Sequence, residues 1–154
     1  MRISKGFTLI ELLIVIAVIG ILATIITTGF RSPQAKARDA RRQSDLKQYS
    51  VLLENYANLN NGLFPSYTTA INASGSLCTT LGASNCPDDP LLSTDPTYLR
   101  YRYISNGTGS GSATATAYVL WGRLESGTNS YWVICGTGKV GKTTSAPTNS
   151  NCPL

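Results

Sequence analysis

The chain has 154 residues, with 13 Lys and Arg against 8 Asp and Glu for a net charge of +5, and it contains no histidine. A single core usually takes about 100 to 150 residues, so there is room for one domain plus a membrane helix and not for a second domain. The missing histidine removes the commonest general base and the commonest zinc ligand, so neither an enzyme nor a cofactor is expected.

The first six residues, MRISKG, are short and basic. From Phe7 to Phe30 the chain reads FTLIELLIVIAVIGILATIITTGF. As a helix rising ~1.5 Å per residue this stretch reaches across a bilayer. Arg2 and Lys5 favour the cytoplasmic side, which sends the rest of the chain outward. Glu11 lies one turn inside the apolar run, where an unpaired carboxylate costs about 2.5 kcal/mol or more. Two readings stay open: Glu11 snorkels or is protonated near the interface, or a cation reaches it from another chain.

Lys5-Gly6-Phe7-Thr8-Leu9-Ile10-Glu11-Leu12 resembles the processing signature of type IV prepilins and type II secretion pseudopilins, and the likeness continues from Ile14 to Ala23. The resemblance implies that a prepilin peptidase in the inner membrane cuts between Gly6 and Phe7 and methylates the new N-terminus. It also implies that Glu11 meets the freed amine of Phe7 on a neighbouring subunit. A carboxylate facing an ammonium is tolerable in hydrocarbon where a lone one is not, so the pair would set the register between helices. The competing reading is an ordinary secretory signal peptide cut somewhere after Ala23. Against it stand the length of the apolar run, the acid within it and the lack of a small-x-small cleavage site.

Residues 31–59 form an amphipathic helix by composition, with no proline or glycine between Pro33 and Gly62. Leu46, Tyr49, Leu53 and Tyr56 share a stripe suited to packing on a sheet. Either a new helix begins with Ser32 capping and Pro33 in its first turn, or one helix runs through with a kink or melted stretch over Gly29–Pro33. Arg31, Lys36, Arg38, Arg41, Arg42 and Lys47 invite a nucleic-acid reading, but a solvated face meeting lipid headgroups or acidic neighbours accounts for them better.

Residues 60–154 read as a head of loops and antiparallel strands. A Ser-, Thr-, Asn- and Pro-rich loop follows Gly62, then strand-like runs at Tyr98–Ser105, Ala113–Leu124 and Ser130–Cys135. In the first run Tyr101 and Tyr103 alternate with Arg100 and Arg102, giving an apolar and a basic face. The second is apolar on both faces, which leaves one for another subunit to cover. The four cysteines suit two disulfides in an oxidising compartment. Three pairings are open; Cys78 with Cys86 and Cys135 with Cys152 is preferred because each closes a short turn-rich loop. Asp88, Asp89 and Asp95 offer oxygen ligands for calcium, although loop aspartates more often serve turns, and no metal site is assigned. Gly136 to Thr143 fits the phosphate-binding pattern GxxxxGK[ST] but lacks a following helix, so the match is attributed to chance.

The fold expected is therefore α+β: a leader at 1–6, an assembly helix at 7–30, an amphipathic helix at 31–59 and a sheet-bearing head, similar to type IV pilins. The resemblance implies a homo-oligomeric helical filament, built by inner-membrane assembly machinery from a precursor held in membrane lipid and then displayed outside the cell. A type II secretion pseudopilin and a DNA-uptake or adhesive minor pilin are the alternatives.

Overall fold

The computed structural model describes residues 6–29, 31–94 and 100–154, with side-chain surroundings described for all of these except 25–32. The chain divides into two compact units, Met1–Ala35 and Lys36–Leu154.

In the first unit, α1 runs from Leu9 to Gly29. Leu, Ile, Val and Ala fill every side of it, so it has no polar face to turn to water. All its described side chains are exposed, among them Leu9 at 82% and Ile10 at 67%. Among the described residues no helix is long and apolar enough to cross a membrane. The described side chains of α1 end at Thr24; at ~1.5 Å per residue Leu9–Thr24 is about 24 Å, short of the ~30 Å hydrocarbon core. Phe30 lies outside the described residues, and the choice at Gly29–Pro33 turns on it.

α2 spans Arg31–Leu59. Pro33 is its third residue, in the first turn, where a missing N–H forfeits no intrahelical bond. The helix stops where Asn61 and Gly62 take left-handed backbone (φ 56 and 79°) and Gly62 N–H bonds back to the Ala57 carbonyl at 2.8 Å. Within the second unit, Leu46, Tyr49 and Leu53 are fully buried, and Ala57 joins them at 4% exposure. Each large apolar side chain so buried contributes roughly 1.5–3 kcal/mol.

Among the described residues seven strands follow: β1 Phe64–Pro65, β2 Ile71–Asn72, β3 Arg102–Ser105, β4 Ala113–Ala115, β5 Tyr118–Arg123, β6 Tyr131–Cys135 and β7 Val140–Thr143. β1 pairs with β4, and the other five form an antiparallel sheet in the order β2-β3-β5-β6-β7. Between β2 and β3 lie a π-helical turn, Ala73–Leu77, and the short α3, Cys78–Thr80. The run expected at 113–124 is thus broken into β4 and β5, in two different sheets. β1, β2 and β7 are two to four residues long and mix Phe, Ile, Val or Thr with Pro, Asn, Gly or Lys, too short to carry a period-two signal in the sequence. Tyr98 and Leu99 fall outside the described residues.

The sheet has two covered faces. Toward α2 it turns Tyr103, Tyr118, Leu120 and Ile134, which share one buried cluster with Leu46, Tyr49 and Leu53. The other face carries Ile104, Val119, Trp121, Val133 and Cys135. Another subunit was expected to cover it, and the structure corrects that reading: Cys152 and Leu154 of the same chain pack there. Two disulfides, Cys78–Cys86 and Cys135–Cys152, close loops within the head.

Candidate functional site

Gly6, Phe7 and Thr8 precede α1, and Phe7 is 82% exposed. A Cβ built on Gly6 would meet nothing within 4 Å, and its backbone is not left-handed. Neither packing nor conformation therefore calls for glycine at this position.

Glu11 has partners within its own chain. Its Oε2 accepts hydrogen bonds from the Thr8 N–H at 2.9 Å and the Thr8 hydroxyl at 2.7 Å, while Glu11 N–H donates to Thr8 Oγ1 at 3.3 Å. This is a reciprocal capping box: Thr8 is the N-cap of α1 and Glu11 the third residue of the first turn. The T-x-x-E spacing announces it in the sequence, yet Thr8 was not singled out as a functional residue. The cap satisfies backbone groups that would otherwise lie bare at an apolar helix end.

A second concentration of charge lies in the head, on the N-terminal half of α2. Arg42 is fully buried. Its Nε and second terminal nitrogen bond Asp89 at 2.6 and 2.9 Å, and its other terminal nitrogen bonds Asp39 at 2.8 Å and Glu125 at 2.5 Å. Arg38 reaches the same Glu125 with Nε at 2.8 Å. Asp39 in turn accepts from the N–H groups of Glu125 and Ser126, both at 2.9 Å, and from the Ser126 hydroxyl. One guanidinium thus ties α2 to the Asp88–Leu92 loop and to the β5–β6 turn. This corrects the reading of the basic stripe as a solvated face: the fork geometry of arginine lets Arg42 serve three carboxylates at once. Lys36, Arg41 and Lys47 remain exposed.

Burial opposes the charge on Asp39, but the bonds from Ser126, Glu125 and Arg42 outweigh it and hold the carboxyl below its ordinary value. The bond from Arg38 comes first in lowering Glu125, followed by that from Arg42 against the cost of burial. Burial likewise opposes the Arg42 cation, and the bonds from Asp89 and Glu125 more than offset it.

Of the calcium candidates, Asp89 is committed to Arg42, Asp88 accepts from the Ser74 hydroxyl at 2.7 Å, and Asp95 is outside the described residues. Among the described residues no group of three or more acids or cysteines is placed to hold a metal. The GxxxxGK[ST] stretch forms the β6–β7 hairpin, with Gly138 at φ 82° and antiparallel pairing of Ile134 with Val140. No helix follows it to receive a phosphate.

The described residues combine a polar-capped N-terminal helix with no polar face and an α+β head. Residues 1–27 match the family model described as the prokaryotic N-terminal methylation motif. The chain is 48% identical over 44 residues to the "Type IV major pilin protein PilA" of Myxococcus xanthus, covering 29% of this chain and 20% of that one. It is 38% identical over 74 residues to the "Type IV major pilin protein PilE" of Neisseria gonorrhoeae, covering 47% and 43%. It is 29% identical over 110 residues to the "Type II secretion system core protein G" of Dickeya chrysanthemi, covering 69% and 71%. The chain spans less than half the length of the two pilins. No solved structure matches it. The chain carries the N-terminal methylation motif and is related to type IV pilins and a type II secretion core protein.

Proposed function

We propose that this chain is a pilin-like structural subunit of an extracellular filament. Residues 1–6 are the leader, removed between Gly6 and Phe7 by a prepilin peptidase. Residues 7–30 hold the precursor in the inner membrane and then pack against the same helix of other copies, and the head is displayed outside. The observation that carries this reading is an exposed α1, apolar on every side, with its single carboxylate at the first turn. Such a helix is stable only in lipid or among its own kind.

Glu11 has a defined role here. Its capping bonds with Thr8 keep the carboxylate satisfied in the single subunit. In the filament its free lone pairs accept the Phe7 amine of a neighbour, which fixes axial register. The role is assembly, with no chemical step.

The test is the N-terminal sequence and mass of the mature protein, together with filaments sheared from cells. A methylated Phe7 start, and filaments lost in Glu11→Ala, support the reading; a start beyond Ala23 overturns it. The type II secretion pseudopilin is a second reading, favoured by the alignment to core protein G, which covers more of both chains than the pilin alignments. It predicts that Glu11→Ala blocks export of other proteins instead.

A further inference from the structure

The described part of the head exposes three large apolar side chains: Val51 at 49%, Leu59 at 86% and Val140 at 47%. Val51 is part of a groove of about 340 Å³ between α2 and the Cys78–Cys86 loop, lined by Gln48, Val51, Leu52, Ala83, Asn85 and Pro87. That volume is in the range that accepts small apolar groups. Val140 is a projection, on an edge strand whose outer side has no partner in the sheet.

The hole lies between α2 and a loop, and the projection lies on the last strand of the sheet. The loop lining the groove follows the π-helical turn that packs on β2, the first strand in the order, whereas Val140 opens β7, the last. At ~4.8 Å between neighbouring strands, four spacings separate the edges by about 19 Å. Neither patch can satisfy the other within one chain.

Their charges are complementary. Glu54, one turn along α2 from Val51, is exposed and forms neither a side-chain hydrogen bond nor an ion pair among the described residues. Lys142, two residues from Val140 on the same strand face, is also exposed and forms no ion pair among the described residues. A lysine flanks the projection and a glutamate flanks the hole.

We infer that the β7 edge of one copy seats Val140 in the α2–disulfide-loop groove of the next, with Lys142 facing Glu54. Two different patches joined head to tail make a heterologous contact, which propagates as an open helical array unless its rotation closes. This deepens the filament reading and rests on it: the helices supply cohesion, and this contact sets how one head is rotated against the next.

The experiment uses the full chain in the producing cell. All four cysteines of the chain are in disulfides, leaving none free. Val51→Cys combined with Val140→Cys is expected to give a ladder of cross-linked multimers on non-reducing gels, absent from either single variant. Lys142→Glu and Glu54→Lys are each expected to cut sheared filaments by about tenfold, with the membrane pool and the Phe7 start unchanged, and their combination to restore them. No ladder, with filaments sheared as usual, overturns the docking alone. If the unaltered chain yields no sheared filaments and the cysteine pair gives no ladder, the filament reading falls and takes the docking with it.

Discussion

Arg42 and Asp89 meet through two hydrogen bonds, at 2.6 and 2.9 Å, across 47 residues of sequence. Neither side chain has any exposed surface. Their pairing anchors an otherwise irregular loop to the helix that backs the sheet.

Replacing Arg42 should therefore cost far more than loss of a surface cation. Arg42→Ala strands Asp39, Asp89 and Glu125 around an empty site, and breaking a buried pair costs about 3–5 kcal/mol. Arg42→Lys should recover only part of this, because an ammonium cannot offer the same fork. Thermal unfolding of the full chain in detergent checks both; a melting point unmoved in Arg42→Ala would show that the cluster contributes no net stability.

The same cluster sets a pH dependence. Asp39 and Glu125 are held below their ordinary values of 3.8 and 4.5 in the folded head. Groups lowered on folding contribute stability that is fully present above those values and is lost as pH falls through the folded ones. The melting point should be level near neutrality and decline below about pH 4, with a shallower decline in Glu125→Gln. An acid titration followed by circular dichroism reads the difference in slope.

Gly122 permits the close approach of α2 to the sheet. A Cβ there would stand 2.9 Å from Tyr101 Cδ1 and 3.3 Å from Leu46 Cδ1. Tyr101 cannot easily yield, since its hydroxyl donates to Asp45 at 2.7 Å and its ring meets Tyr49 edge-on. Gly122→Ala should cost about 1–3 kcal/mol, measured as a lowered unfolding midpoint.

Near the N-terminus of the chain a glycine is predicted to matter for the opposite reason. Gly6→Ala introduces no contact within 4 Å, so folding should be unchanged while the leader is retained. Intact mass of the membrane-bound protein distinguishes the two effects. Thr8→Val should leave the leader cut but weaken the cap of α1 by about 1 kcal/mol; helix content near residue 9, followed by amide hydrogen exchange, reports it.

The broad plan was legible because it is written in periodicity. The uniform apolarity of α1 and the stripe of Leu46, Tyr49 and Leu53 each follow from one helix meeting one kind of surroundings. Gly6 and Glu11 stood out as departures from that pattern. What escaped depended on distant residues: Arg42 reads as one more cation until Asp89 and Glu125, 47 and 83 residues away, are folded against it. Thr8 was hidden differently, since its T-x-x-E signal lies within a longer signature that drew attention to the acid alone. β7 is only Val140–Thr143, too short and too mixed for a period-two signal to mark it as an edge strand.

Cys152 and Leu154 close the outward face of the sheet, with Leu154 against Gly141 and its carbonyl accepting from Lys139 at 3.1 Å. Most of the segment between Thr144 and Asn151 stays exposed, Pro147 excepted. Covering the core and presenting a surface are thereby assigned to different residues of one short strap. Substitutions there can alter the exposed surface while the fold beneath is left undisturbed, so this segment is where sequence change would be tolerated most readily.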